Sequence, residues 1–200
     1  MKKYTVKQYQ SEDFGIWNEF VANAKNATFL FHRDFMEYHS DRFHDFSLLI
    51  FDEKQNLKAI LPANRVGETL FSHQGLTYGG LVLNQKTKLQ EVIEMVNGLL
   101  FFLDKNEITK LHLKQIPSIY SDFPSDEVDY LSFILNAKIV RKDSLSVIDL
   151  HSNYKFSNSR KQEINKGIKN NLVVIEEENF GEFWNQVLIP NLKQKYNTNP

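Results

Sequence analysis

Three apolar runs, Phe46–Asp52, Leu57–Asn64 and Thr69–Ser72, follow one another with only short polar or glycine-containing turns between them. Parallel strands need a crossover of a dozen or more residues, so runs this closely spaced must pair as an antiparallel meander. A doubly wound nucleotide-binding sheet is therefore excluded, because its strands alternate with helices throughout.

Around this meander the chain reads as alternating elements. Lys3–Gln8 alternates and predicts a strand. Ser11 then caps a helix running to about Ala24, with Phe14, Trp17, Phe20 and Val21 at helical spacing. A short helix follows over His32–His39. Thr87–Asn106 is the longest helix, with Leu89, Val92, Ile93, Val96, Leu99, Leu100 and Leu103 as its apolar stripe. Leu111–Ile116 predicts a strand ending at Pro117, Pro124 opens a helix to about Asn136, and Val140–Leu150 predicts a further strand. The order predicts a mixed α/β (α+β) fold, with a largely antiparallel central sheet flanked by helices.

The register then repeats. Ser157–Asn170 predicts a basic helix and Leu172–Glu177 a strand. Phe180 to about Leu192 predicts a helix with Phe183, Trp184, Val187 and Leu188 inward. Strand followed by aromatic helix echoes Tyr4–Val21, with Trp184 placed like Trp17. The expected organisation is a first domain over 1–152, a basic interdomain helix over 153–171, and over 172–200 the start of a second domain that the chain does not complete.

Lys plus Arg (24) nearly cancels Asp plus Glu (25), so no whole-molecule field draws the chain to DNA or to a membrane surface. Cysteine is absent, which removes thiolate nucleophiles, disulfides and Cys-based zinc sites together. The start lacks the apolar core of a secretion signal, and Val92–Leu103 is broken by Glu94 and Asn97, short of the roughly 20 residues a membrane span needs. A soluble, cytoplasmic protein is expected.

His32, Arg33, His39 and Arg42 cluster within eleven residues. Arg33 and Arg42 are candidate contacts for a phosphate or carboxylate, with His39 a weaker one. The plainer reading pairs Arg42 with Asp41 or Asp45 and packs His39 into the core. No metal site is expected, since two histidines seven apart stand ~10 Å apart along a helix axis. In His73–Gly80, three glycines surround His73 and Tyr78, the polar groups a substrate pocket would use. The same glycines also suit a β-bulge with two tight turns, needing no ligand. Arg160, Lys161, Lys166 and Lys169, opposed by Glu163 alone, form the strongest cation cluster and are candidates for a phosphate or tRNA backbone; a solvated linker helix is the alternative.

Neither a Walker GxxxxGK[ST] nor a Rossmann GxGxxG run occurs. The element order resembles the GNAT acyltransferase fold. However, the acyl-CoA loop of ordinary GNAT enzymes (Gln or Arg, two residues, Gly, any residue, Gly or Ala) is absent; Gln74 fails it at Thr77. The segments Ala27–His39, Asp41–Leu48, His73–Gly80, Lys114–Tyr120 and Pro124–Tyr130 together resemble the bacterial FemAB-like tandem GNAT proteins, in a branch associated with surface polysaccharide, and Ser157–Lys169 resembles their basic interdomain segment. The resemblance implies an acyl- or aminoacyltransferase acting on an amine of an amino sugar or peptidoglycan precursor. It implies acyl-CoA or aminoacyl-tRNA as donor, and tRNA among the partners. The donor site would lie mainly in the second domain, so this chain alone would be inactive. Arg33, His39, Arg42, His73 and Tyr78 would be acceptor-side groups; no catalytic base is named. A non-catalytic module binding a substrate or partner is the alternative.

Overall fold

The computed structural model describes residues 4–38 and 40–198, so the candidate His39 lies outside them. The chain divides into two compact units, 1–140 and 141–200.

The first unit is built on a four-stranded antiparallel sheet in the order β1 (Thr5–Gln8), β2 (Leu48–Phe51), β3 (Leu57–Leu61), β6 (Val82–Leu83). β2 is buried along its whole length because a core lies on each of its faces. Leu48 and Ile50 pack with Tyr4, Leu61 and Leu83 on one side. Leu49 and Phe51 pack with Trp17, Phe31 and Met36 on the other. A strand covered on both faces reads as a continuous apolar run, which is what this stretch shows.

A helix supplies each core. α1 (Phe14–Ala22) turns Trp17, Phe20 and Val21 into one. The Trp17 indole donates to the Phe31 carbonyl at 2.7 Å, so its one polar atom is satisfied inside the core. The short α2 (Arg33–Glu37) adds Met36. α3 (Leu89–Lys105) covers the opposite face through Val92, Met95, Leu99 and Leu103, each worth about 1.5–3 kcal/mol of burial. The stripe is rotated from the expected one: Met95 is buried, whereas Leu89 and Leu100 are exposed. α4 (Glu127–Ile134) inserts Leu131 into the same core.

The expected single sheet is split in two. β4 (Asn64–Val66) and β5 (Thr69–Phe71) form a hairpin through Gly67, at φ +58°, and β7 (Lys110–His112) joins β5 in parallel. The break falls where Ser47 intervenes. Its hydroxyl accepts from the Ala63 N–H at 3.1 Å, serving a strand-end donor in place of a backbone carbonyl, and donates to Asp45 at 2.6 Å. Asn26 acts similarly at β6, donating to the Leu81 carbonyl and accepting from the Leu83 N–H.

In the second unit, Ser157 caps α5 (Asn158–Lys169), with the Arg160 N–H directed at its hydroxyl. A helical stretch follows as α6 (Gly181–Phe183), a π-helical turn over Trp184–Leu188 and α7 (Ile189–Tyr196). Three expectations fail here. Neither Val140–Leu150 nor Leu172–Glu177 forms a strand, and Phe183, Trp184 and Val187 are exposed rather than inward. The cause is shared: apolar alternation becomes a strand only against a partner strand, and the described residues of this unit contain no sheet.

Candidate functional site

Arg33 is fixed by the protein itself. It is only 3% exposed. Its guanidinium donates to Asp45 at 2.5 Å, Ser47 at 3.3 Å and Glu37 at 3.5 Å, and lies over the Tyr9 ring at 3.8 Å. Burial pushes the Tyr9 phenol up, against the opposing pull of Arg33. A cation with three acceptors and an aromatic face is a structural element that ties α2 to the start of β2. Arg42 is half-exposed and lies 3.8 Å from Asp41, the neighbour named from sequence.

The 72–80 loop is shaped by close backbone approach. His73 is buried at φ +59°, with the Phe43 ring 5.6 Å from its imidazole. The side chain of Asn64 brackets Gln74, accepting from its N–H at 2.7 Å and donating to its side chain at 2.9 Å. Gly79 is required sterically, since a Cβ there would stand 2.3 Å from the Ser72 carbonyl oxygen. Gly80 is at φ +96°, open to glycine and strained for other residues. The Gly79 N–H donates to Lys114 at 2.6 Å, and the Ser72 hydroxyl accepts from the Lys114 N–H at 2.7 Å, which pins the loop to the chain leaving β7.

Three segments distant in sequence meet at Tyr78. Its hydroxyl donates to Thr28 at 3.1 Å, its ring meets the edge of Phe31 at 6.0 Å, and Tyr120 stacks on it at 5.3 Å with 29° between planes. Lys114 donates its ammonium to the Leu76 carbonyl in the same loop, and burial pushes its pKa down. Tyr78 is half-buried and Tyr120 is 46% exposed, so this cluster has a solvent face. Tyr120 and Lys114 went unselected from sequence. Both fall in the Lys114–Tyr120 segment that carries part of the family resemblance, but nothing in it separates Lys114 from any surface lysine.

Arg33 and Tyr78 thus lie in separate settings, one an internal ion-pair network and the other an aromatic cluster. Neither lines an apolar cavity found in the first unit. That cavity, of about 590 Å³, is enclosed by β7, α3, α4 and the chain after α4, and its walls are mainly leucine and valine. In the second unit, Arg160, Lys161, Lys166 and Lys169 are exposed on α5, and Arg160 pairs with Glu163 at 2.9 Å. Among the described residues no group of three or more His, Asp or Glu side chains is placed to hold a metal ion. No helix among them is long and apolar enough to cross a membrane.

The fold class is mixed α/β, an antiparallel sheet flanked by helices. No family model and no curated protein matches the chain. Among solved structures it is similar to the ribosomal-protein-S18-alanine N-acetyltransferase from Escherichia coli, at 12% identity and a TM-score of 0.38, over 54% of this chain and 64% of that one. The chain therefore spans less than two thirds of that protein's length.

Proposed function

We propose that this chain is the acceptor-binding part of an acyl- or aminoacyltransferase that modifies an amine of a cell-envelope polysaccharide or peptidoglycan precursor. One observation carries the reading. Three of the segments in which the sequence resembles FemAB-like proteins, 27–39, 73–80 and 114–120, converge on Tyr78 through Thr28, Phe31 and Tyr120. Segments that build one solvent-facing cluster from such distant positions are a reasonable acceptor surface, with Tyr78, Tyr120 and Lys114 as its exposed or desolvated groups.

The chemistry is direct transfer. The acceptor amine attacks the ester or thioester carbonyl, an N–C bond forms, the C–O or C–S bond breaks, and the amine proton leaves to solvent or a base. Acyl-CoA or aminoacyl-tRNA serves as donor. The exposed Lys161, Lys166 and Lys169 of α5 suit the phosphates of either.

The test is acceptor binding: a nucleotide-linked amino sugar or a peptidoglycan peptide should raise the melting temperature of the chain, and Tyr78→Ala should remove that rise. No shift with either acceptor rejects the reading. A second reading is a binding module without chemistry. The commitment of Arg33 to Asp45, Ser47 and Glu37 favours it, because that cation is unavailable to substrate. Thermal shift separates the two, since a donor at 100 times its Kd stabilises by about 2.7 kcal/mol.

A further inference from the structure

We propose that the free edge of β7, with the cavity beside it, is a groove that receives an extended polypeptide strand from a partner, carrying apolar side chains at alternate positions and carboxylates between them.

The first ground is the direction of the backbone. β7 is the last strand of its sheet. Lys110 donates to the Glu68 carbonyl, His112 accepts from the Ser72 N–H, and Lys114 both donates to the Ser72 hydroxyl and accepts from the Gly79 N–H. Even-numbered residues thus spend their peptide groups on the β5 side. Strand geometry then turns the N–H and C=O of Leu111 and Leu113 the opposite way. Among the described residues no strand pairs with that edge. An open row of donors and acceptors is a template for another strand, and main-chain pairing is how extended peptides bind sheet edges.

The second ground is the surface beside the edge. The cavity of about 590 Å³ is lined by Leu111 and Leu113 of the edge itself and by apolar side chains such as Leu99 and Leu131. Its size falls in the range of specific binding pockets, roughly 300–1,000 Å³. A strand laid along β7 directs every second side chain to one face, so its apolar residues would enter this cavity.

The third ground is charge. The lining includes Lys110, His112 and Lys138 and no Asp or Glu, in a chain whose acids outnumber its Lys and Arg by 25 to 24. A rim that carries Lys110 and Lys138 with no carboxylate beside them selects carboxylates at the intervening positions of the incoming strand. A plain hydrocarbon ligand would use the cavity but leave the peptide edge unpaired, and the combination therefore favours a peptide.

The experiment is amide hydrogen exchange on the full chain, alone and with a capped heptapeptide alternating leucine with serine and aspartate. The amides of Leu111 and Leu113 should exchange rapidly in the chain alone and slow on addition of peptide. A peptide with lysine replacing aspartate should bind about tenfold more weakly, the effect of one misplaced charge pair. Leu113→Pro removes one edge N–H and should abolish the protection, while Leu113→Ala keeps it. The proposal is overturned if saturating peptide protects neither amide, if both are already protected in the monomeric chain, or if the two peptides bind alike. It is also overturned if decanoate occupies the cavity and the peptide does not compete. Should Leu113→Pro fail to fold, exchange in the unsubstituted chain decides. The readout is independent of any transfer activity, so its failure leaves the acyltransferase reading standing.

Discussion

Lys25 and Glu127, 102 residues apart in sequence, form a buried ion pair in which the lysine ammonium donates to the glutamate carboxylate. The Lys25 carbonyl also accepts from the Asp122 N–H at 2.8 Å, so one residue anchors the segment leading into α4 twice. Burial raises the Glu127 pKa, but hydrogen bonds from Lys25, its own backbone and Ser125 outweigh it, and the net shift is downward. Glu127→Gln should destabilise the first unit by about 3 kcal/mol, because it strands a buried ammonium. Replacing both residues, Lys25→Met with Glu127→Leu, should cost less than the single change, which a double-mutant cycle in urea measures. A depressed carboxylate stabilises above its unfolded pKa and loses that contribution as pH falls through the folded value. The pair's support should therefore fade below the ordinary glutamate range, and a Glu127→Gln chain should lack that acid sensitivity.

Lys114 carries the opposite linkage. Burial lowers its pKa, so on raising pH the folded state releases this proton before the unfolded state does. Stability should rise with pH between the folded value and the ordinary lysine value. Lys114→Met should flatten that rise in melts recorded across the alkaline range.

Arg33→Lys should not rescue what Arg33→Met loses. The guanidinium reaches Asp45, Ser47 and Glu37 while covering the Tyr9 ring, and a point-like ammonium cannot do so from one position. Arg33→Met should cost about 3 kcal/mol, with Arg33→Lys recovering less than half in chemical denaturation.

Glycines at two positions should respond with opposite signs. Gly79→Ala forces a methyl against the Ser72 carbonyl and should destabilise by about 1–3 kcal/mol. Gly15→Ala in α1 meets nothing within 4 Å and should stabilise by about 0.5–1 kcal/mol. Urea midpoints give both values.

The two tryptophans should be separable by fluorescence. Trp17 is fully buried and hydrogen-bonded, whereas Trp184 is 39% exposed. Iodide should quench only part of the emission, and Trp184→Phe should leave a blue-shifted signal that iodide does not reach.

Residues whose burial follows from local pattern were legible in the sequence. Trp17, Phe20 and Val21 lie where helical spacing put them, and the apolar run around Leu48–Phe51 is the doubly covered central strand. Pattern failed where structure depends on a distant partner. Val147 and Ile148 have strand composition but no neighbouring strand, and β6 is two residues long, held by the side chain of Asn26 from 57 residues away. The same limit hid the cluster around Tyr78. His73 and Tyr78 were marked by their glycines, but nothing near Tyr120 or Lys114 announces that they meet that loop. Arg33 looked like a ligand contact because sequence shows a charge without showing that Asp45 and Ser47 answer it.

Ser47 and Ser72 play matching parts, one beside the β2–β3 pair of the first sheet and the other beside the β5–β7 pair of the second. Each uses a hydroxyl to accept a main-chain N–H, of Ala63 in one case and Lys114 in the other. Each strand pair is thus carried past its last ladder bond by a side-chain oxygen. Exchanging either serine for alanine takes away that acceptor, leaving the Ala63 or Lys114 N–H to find another.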